Sequence, residues 1–180
     1  MKLAIFNEKG GVGKTTAAVA LAIRLGLPLI DLDPQATSTK WLARREGGWP
    51  TAAVNESAWI VDCQPGIDAG IAPILASADL VIVPVRVSFP DLATLGDTVN
   101  FLSASGAKVA LMGGDIDSRS SDKDTLFDAL RGYSLPILGM FTHRKSYRGS
   151  GMTGQSAAEI DKIAAHELDA IVESIRKLIK

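Results

Sequence analysis

The octapeptide Lys9-Gly10-Gly11-Val12-Gly13-Lys14-Thr15-Thr16 constrains this chain more than any other segment. It follows the apolar run Leu3-Ala4-Ile5-Phe6, so a strand has to stop, turn on glycines and open a helix within a few residues. Backbone N–H groups in such a turn and the positive end of the helix dipole converge on one point, which suits a polyphosphate. The ligand that fits this pattern is a nucleoside triphosphate with Mg²⁺. Gly10, Gly11, Val12 and Gly13 would cradle it, Lys14 would neutralise its β- and γ-phosphates, the Thr15 hydroxyl would ligate the ion and Thr16 would back the α-phosphate.

The segment departs from the ordinary phosphate-loop pattern in two ways. Glu8 stands where a glycine is usual, and a second lysine, Lys9, follows it. A lysine at the start of the loop is badly placed to curl back onto phosphates held by its own loop, but it can reach a ligand held by a facing copy of the chain. On these residues the chain resembles the deviant Walker A ATPases of the ParA/MinD family, whose signature reads Lys-Gly-Gly-x-Gly-Lys-Thr/Ser. The resemblance implies ATP as the nucleotide, a homodimer formed with ATP, and Lys9 as a catalytic residue acting across that dimer alongside Lys14.

A second match follows the next apolar run. Asp31-Leu32-Asp33-Pro34-Gln35 fits the family's Asp-x-Asp-Pro-Gln motif, which assigns Asp33 to positioning the attacking water and leaves Asp31 to support the Mg²⁺ shell. Read alone, the two acids alternate onto one side of a strand that Pro34 ends, and they could simply cap the following turn and helix. Ala58-Trp59-Ile60-Val61-Asp62 is an apolar run ending in an acid, with Asp62 a metal ligand through water. Gln64 then replaces the family's usual proline. Ala78 to Val85 followed by Ser88-Phe89-Pro90-Asp91 also looks like the ParA group, with Ser88 or Asp91 capping the next helix and the loop near a dimer face.

Short apolar runs alternate with helical stretches, which predicts an α/β three-layer sandwich around a mostly parallel central sheet, the P-loop NTPase fold. Strands are expected at Lys2–Asn7, Pro28–Leu32, Ala58–Asp62, Leu80–Val85, Lys108–Met112 and Pro136–Phe141. Helices are expected at Lys14–Leu25, Thr37–Arg45, Asp68–Ser77, Pro90–Ser103, Asp122–Arg131 and Ala157–Ile179, and loops at 46–50, 113–121 and 144–154. At 180 residues and 47% hydrophobic content, one domain over residues 1–180 accounts for the chain.

The net charge of −1 does not point to nucleic acid, so any basic surface is local. The most basic stretch is Thr142 to Arg148, where Arg144, Lys145 and Arg148 could neutralise phosphates of DNA or could form an ordinary solvated loop. ParA-type proteins bind nonspecific DNA through scattered Arg and Lys, and the resemblance assigns that contact to these three. His143 reads as a structural or surface imidazole. The lone Cys63 excludes a disulfide framework and weakens a nitrogenase-iron-protein reading of the loop, since those relatives share a cluster held by two cysteines per subunit. Cys63 itself reads as a small buried hydrophobe.

No signal peptide or membrane-spanning run is visible, and the expectation is a cytoplasmic protein, nucleoid-associated when ATP-bound. The apolar stripe of the C-terminal helix, from Ile160 to Ile179, carries interspersed acids that oppose an anionic lipid surface, so core packing is expected and stable membrane association is not. The chain most resembles small plasmid-partition ParA proteins without an N-terminal DNA-reading domain, with slow ATP hydrolysis stimulated by a centromere-binding ParB-type partner. Positioning of another cargo, such as a carboxysome or chemoreceptor cluster, and a MinD-like membrane switch stay open as alternatives.

Overall fold

The computed structural model describes residues 1–117 and 121–180; the middle of the expected 113–121 loop therefore lies outside the described residues. Six strands form one sheet: β1 (Lys2–Ile5), β2 (Leu29–Asp31), β3 (Trp59–Asp62), β4 (Leu80–Val85), β5 (Val109–Ile116) and β6 (Ile137–Thr142). Their spatial order is β2-β3-β1-β4-β5-β6, and every pairing is parallel. A parallel sheet is covered on both faces, which explains why β4 can be buried at all six positions of Leu-Val-Ile-Val-Pro-Val.

The helices are α1 (Lys14–Leu25), α2 (Thr37–Leu42), α3 (Ala72–Ser77), α4 (Phe89–Ala104), α5 (Asp122–Arg131), α6 (Lys145–Ser150), α7 (Ala157–Ile160) and α8 (Lys162–Leu178). One layer packs α1, Leu42 of α2 and the Leu168-Ile171-Val172-Ile175 stripe of α8 on the sheet. The opposite layer packs Leu75 of α3, Leu95 and Leu102 of α4, and Leu126 and Leu130 of α5. The expected three-layer sandwich is thus realised with all six strands parallel. Successive connections leave β1 toward β3 on one side and β4 on the other, so the crevice for a ligand opens at the carboxyl end of β1.

Four elements differ from the sequence expectation. β5 runs through Gly113 and Gly114 to Ile116, because both glycines are packing requirements within a strand. A Cβ at Gly113 would stand 2.9 Å from side-chain carbons of Leu126 and Met140, and one at Gly114 3.1 Å from the Val12 carbonyl. The register with β6 shifts across this stretch, and Asp115 takes a left-handed φ of 57°. The expected 144–154 loop contains α6. The expected 157–179 helix breaks at Asp161, whose extended backbone lets its carboxylate accept hydrogen bonds from Ile163 N and Ala164 N and cap α8. The expected helix from Asp68 begins as a 3₁₀ turn over Ala69–Ile71.

Candidate functional site

The loop between β1 and α1 is pinned before it turns. Asn7, 2% exposed, donates through Nδ2 to the Pro84 carbonyl at the end of β4 (2.8 Å), and its Oδ1 accepts from Lys9 N (2.9 Å). Gly11 and Gly13 then adopt φ values of 78° and 97°, conformations that cost a side-chain-bearing residue about 1–2 kcal/mol. Gly13 is the N-cap of α1, with no side-chain cap and no acid in the first turn, so the helix start is left for an anion. Alanines at 17, 18, 20 and 22 are buried and let α1 lie close on the sheet, which fixes where that helix start points.

Two adjoining cavities open here and share Gly11, Gly13 and Thr16. One, of about 350 Å³, is lined by the loop glycines, Lys14, Thr15, Asp33, Gln35 and Pro65. The other, of about 210 Å³, is walled by Val12, Pro84, Met112 and Phe141, with Arg86, Asp115 and Tyr147 at its polar edge. The first suits a triphosphate and the second the nucleoside attached to it.

Lys14 arches back so that Nζ donates to the Lys9 carbonyl at 2.7 Å. Burial lowers its pKa, and Asp62, Cys63 and Asp33 oppose that effect. Lys9 does the reverse of Lys14. Its ammonium lies outside the triphosphate cavity, 2.5 Å from Asp91 Oδ1 at the start of α4. Asp91 is nearly buried and its other oxygen accepts from the Ser88 hydroxyl (2.5 Å); Ser88 is the helix N-cap. Lys9 shares a shallow hollow with Glu8, Ile67, Pro90 and Thr94, and Phe89, next to the N-cap, is 86% exposed.

Asp31, Asp33 and Asp62 all come from strand ends on the ligand edge, and of the three Asp33 lines the triphosphate cavity. Asp31 pairs in register with Asp62 across β2 and β3. Its oxygens accept from Asp33 N (3.1 Å) and Thr39 N (2.9 Å), so it performs the capping role that the sequence left open. Asp33 accepts from Gln35 N through Oδ1 (2.8 Å) and lines the triphosphate cavity. Asp62 is 1% exposed, and burial lifts its pKa to about 6. The nearby Thr15 and Ser38 hydroxyls and Lys14 hold it down in part, yet neither carboxylate oxygen completes an aligned hydrogen bond.

An orphaned buried carboxylate beside a hydroxyl is a hard-oxygen donor set, which fits Mg²⁺. Among the described residues no three His, Cys, Asp or Glu side chains gather into a cage. Cys63 is buried and burial raises its thiol pKa, so it packs as a small hydrophobe.

The basic segment departs from three solvated cations. Arg144 folds inward to Glu167 of α8 (3.5 Å), with its Nε buried, because Glu167 also accepts from Thr142 N (3.2 Å), Thr142 Oγ1 (2.6 Å) and Tyr147 Oη (3.5 Å). Lys145 and Arg148 remain exposed, on α6. His143 meets Asp115 through Nδ1 at 2.5 Å, and Asp115 also pairs with Arg86, which donates to the Gly11 carbonyl (3.2 Å). Asn7, Glu167 and the Arg86–Asp115 pair escaped the sequence reading, which has Asp91 only as a helix cap and His143 as a structural or surface imidazole. The run Gly113-Gly114-Asp115 is the local signal that could have marked Asp115.

Comparison with known proteins agrees with this geometry. The chain is 33% identical over 118 residues to a maintenance of carboxysome distribution protein A of Gloeobacter kilaueensis, covering 54% of this chain and 55% of that relative, so it spans about half of that protein's length. A protein of the same name from Halothiobacillus neapolitanus is 24% identical over 96% of this chain and 95% of its own. Among solved structures, one described as a plasmid partition protein of Borrelia burgdorferi B31 bound to AMPPNP superposes with a TM-score of 0.80 at 19% identity, over 97% of this chain and 98% of that one. The model of the CobQ/CobB/MinD/ParA nucleotide-binding domain matches residues 3–180. With its deviant Walker A loop and all-parallel sheet, the chain belongs to this ParA/MinD nucleotide-binding family.

Proposed function

We propose that this protein is an ATP-hydrolysing switch that pairs with a second copy across bound nucleotide, binds nonspecific DNA in the paired form, and thereby positions a cargo in the cytoplasm along the nucleoid. The observation that carries this reading is the opposite orientation of the two loop lysines. Lys14 serves its own cradle, whereas Lys9 turns away from it to Asp91, in a shallow hollow that it shares with Ile67 and Pro90. A cation held in such a hollow on the ligand edge suits delivery to a facing subunit.

In this scheme Lys14 and the backbone amides of Gly10 to Thr16 stabilise charge on the transferring phosphoryl group, and Lys9 adds a positive charge in trans. Asp33 aligns water and accepts its proton late. Thr15 and Asp62, with Asp31 behind them, would hold Mg²⁺, which supplies neutralisation of the phosphate charge when bound. The walls from Pro84, Met112 and Phe141 seat the nucleoside. In the lone subunit the Lys9–Asp91 pair keeps the trans lysine parked, and pairing has to move it.

Lys145 and Arg148, with Arg144 behind them, are the proposed DNA contacts. Plasmid or chromosome segregation with a ParB-type partner is one cargo assignment. The curated relatives favour carboxysome positioning as the second. A MinD-like membrane attachment finds less support, since Leu168, Ile171, Val172 and Ile175 of the expected stripe pack in the core, whereas Ile160, Ile163 and Leu178 at its ends are exposed. Gel shifts on random-sequence DNA and co-sedimentation with anionic liposomes, each with and without ATP, test the reading. ATP-dependent retention by DNA supports it, and retention by liposomes alone overturns the DNA-based switch.

A further inference from the structure

Three buried oxygen atoms, on residues adjoining Thr15 and Thr37 of the triphosphate cavity, lack an aligned hydrogen-bond partner: both carboxylate oxygens of Asp62 and the hydroxyl of Ser38. Ser38 is 0% exposed and Asp62 1%. A buried hydroxyl without a partner carries an uncompensated desolvation cost, and a buried carboxylate a larger one. If position 38 only filled space, alanine would do so without that cost and with better helix propensity.

The surroundings place this hydroxyl rather than tolerate it. Ser38 lies in the first turn of α2, and the next residue donates its N–H to Asp31 Oδ2 at 2.9 Å. Asp31 in turn pairs in register with Asp62. The turn carrying Ser38 is therefore tied to the strand beside the one that ends in Asp62. Ser38 and Asp62 are two buried, unpartnered oxygen groups joined by this chain of contacts, and the hydroxyl, like that of Thr15 on α1, also opposes the rise in the Asp62 pKa. Two hydroxyls from two helices thus flank one buried acid.

We infer that Ser38 is a positioning residue for divalent-cation binding: its hydroxyl orients the Asp62 carboxylate, and any water that carboxylate holds, toward the ion. This rests on the reading of Asp62 and Thr15 as the groups that hold Mg²⁺. Outer partners of metal-holding groups commonly change metal affinity by about 10–100-fold when removed. Ser38→Ala deletes the hydroxyl while keeping the small side chain that the fully buried site requires. Ser38→Cys keeps the volume with a much weaker donor.

The test is the Mg²⁺ concentration at half-saturation for binding a fluorescent, nonhydrolysable ATP analogue to the intact chain, with thermal melting without ligand as a control on folding. Ser38→Ala and Ser38→Cys should each raise that midpoint about tenfold, well beyond any change in analogue affinity in excess EDTA. Asp62→Ala should raise it further. A midpoint within twofold of wild type in both Ser38 variants, with Asp62→Ala still shifted, overturns the role of Ser38 alone. An unshifted midpoint in Asp62→Ala removes the Mg²⁺ reading, and this inference with it.

Discussion

Replacing Asn7 with leucine would strip the Pro84 carbonyl of its donor and the Lys9 amide of its acceptor, both at the entrance to the phosphate loop. The expected outcome is a loss of about 1–3 kcal/mol in urea unfolding, together with weaker nucleotide binding because the loop entrance is no longer anchored. Asp33→Ala acts differently. Its carboxylate lines the triphosphate cavity but holds only the local turn, so nucleotide should stay bound while phosphate release falls about 100-fold or more. Retention of wild-type turnover in Asp33→Ala would transfer the water-aligning role elsewhere. At this scale the sequence announced the residues that short motifs bring to the cavity wall, such as Lys14, Thr15 and Asp33. It hid Asn7 and Glu167, because their partners are set by the tertiary fold: the Asn7–Pro84 contact spans 77 positions and that of Thr142 with Glu167 spans 25.

Helix α2 links the Asp31–Gln35 segment to the region around α7. Trp41 Nε1 donates to the Gln155 carbonyl (2.9 Å), and Arg45 grips Glu159 of α7 with two hydrogen bonds, of 2.8 and 3.0 Å. Glu159 also closes the capping box of α7 with Ser156. Although its partial burial raises the Glu159 pKa, the Arg45 and Ser156 contacts outweigh it and leave the net pKa below the ordinary glutamate value. An acid more readily ionised when folded adds stability above its unfolded pKa and loses it as pH falls through the lower folded one. A double-mutant cycle on Arg45→Ala and Glu159→Ala should therefore give a coupling of about 1 kcal/mol at pH 7 that vanishes at strongly acidic pH. Coupling unchanged by acid would place the contact outside the ionic pair.

Gly154 offers a sharper test of the same junction. Its φ is 74° and a Cβ there would stand 2.3 Å from Arg45 N, so Gly154→Ala should destabilise the chain by more than about 1 kcal/mol. Element type was legible wherever burial was continuous, as in β4. It was misread where glycine packs inside a strand, at Gly113 and Gly114, and where one extended residue, Asp161, interrupts an unbroken helical pattern. Both are decided by neighbours distant in the chain.

For the whole molecule, the sheet order carries Asn7, Asp31, Asp62 and Pro84 to one edge and gathers the ligand chemistry between α1 and the ends of β4, β5 and β6. The alternation of strands and helices made this architecture readable, and the parallel order placed the crevice. The basic face was read less well, since Arg144 meets Glu167 only once α8 has docked on β6. DNA affinity should thus respond to Lys145→Glu and Arg148→Glu, each making the dependence of log affinity on log salt shallower by about one unit. An unchanged salt slope in the double variant would move the DNA contact to another surface.

The central claim, that one subunit's Lys9 serves its partner's nucleotide, is tested most directly by light-scattering mass in size-exclusion chromatography with a nonhydrolysable ATP analogue. Wild type should double its mass on adding the analogue with Mg²⁺, and Lys9→Ala should bind the analogue yet keep the mass of one subunit. A Lys9→Ala protein that pairs as readily as wild type would contradict the account.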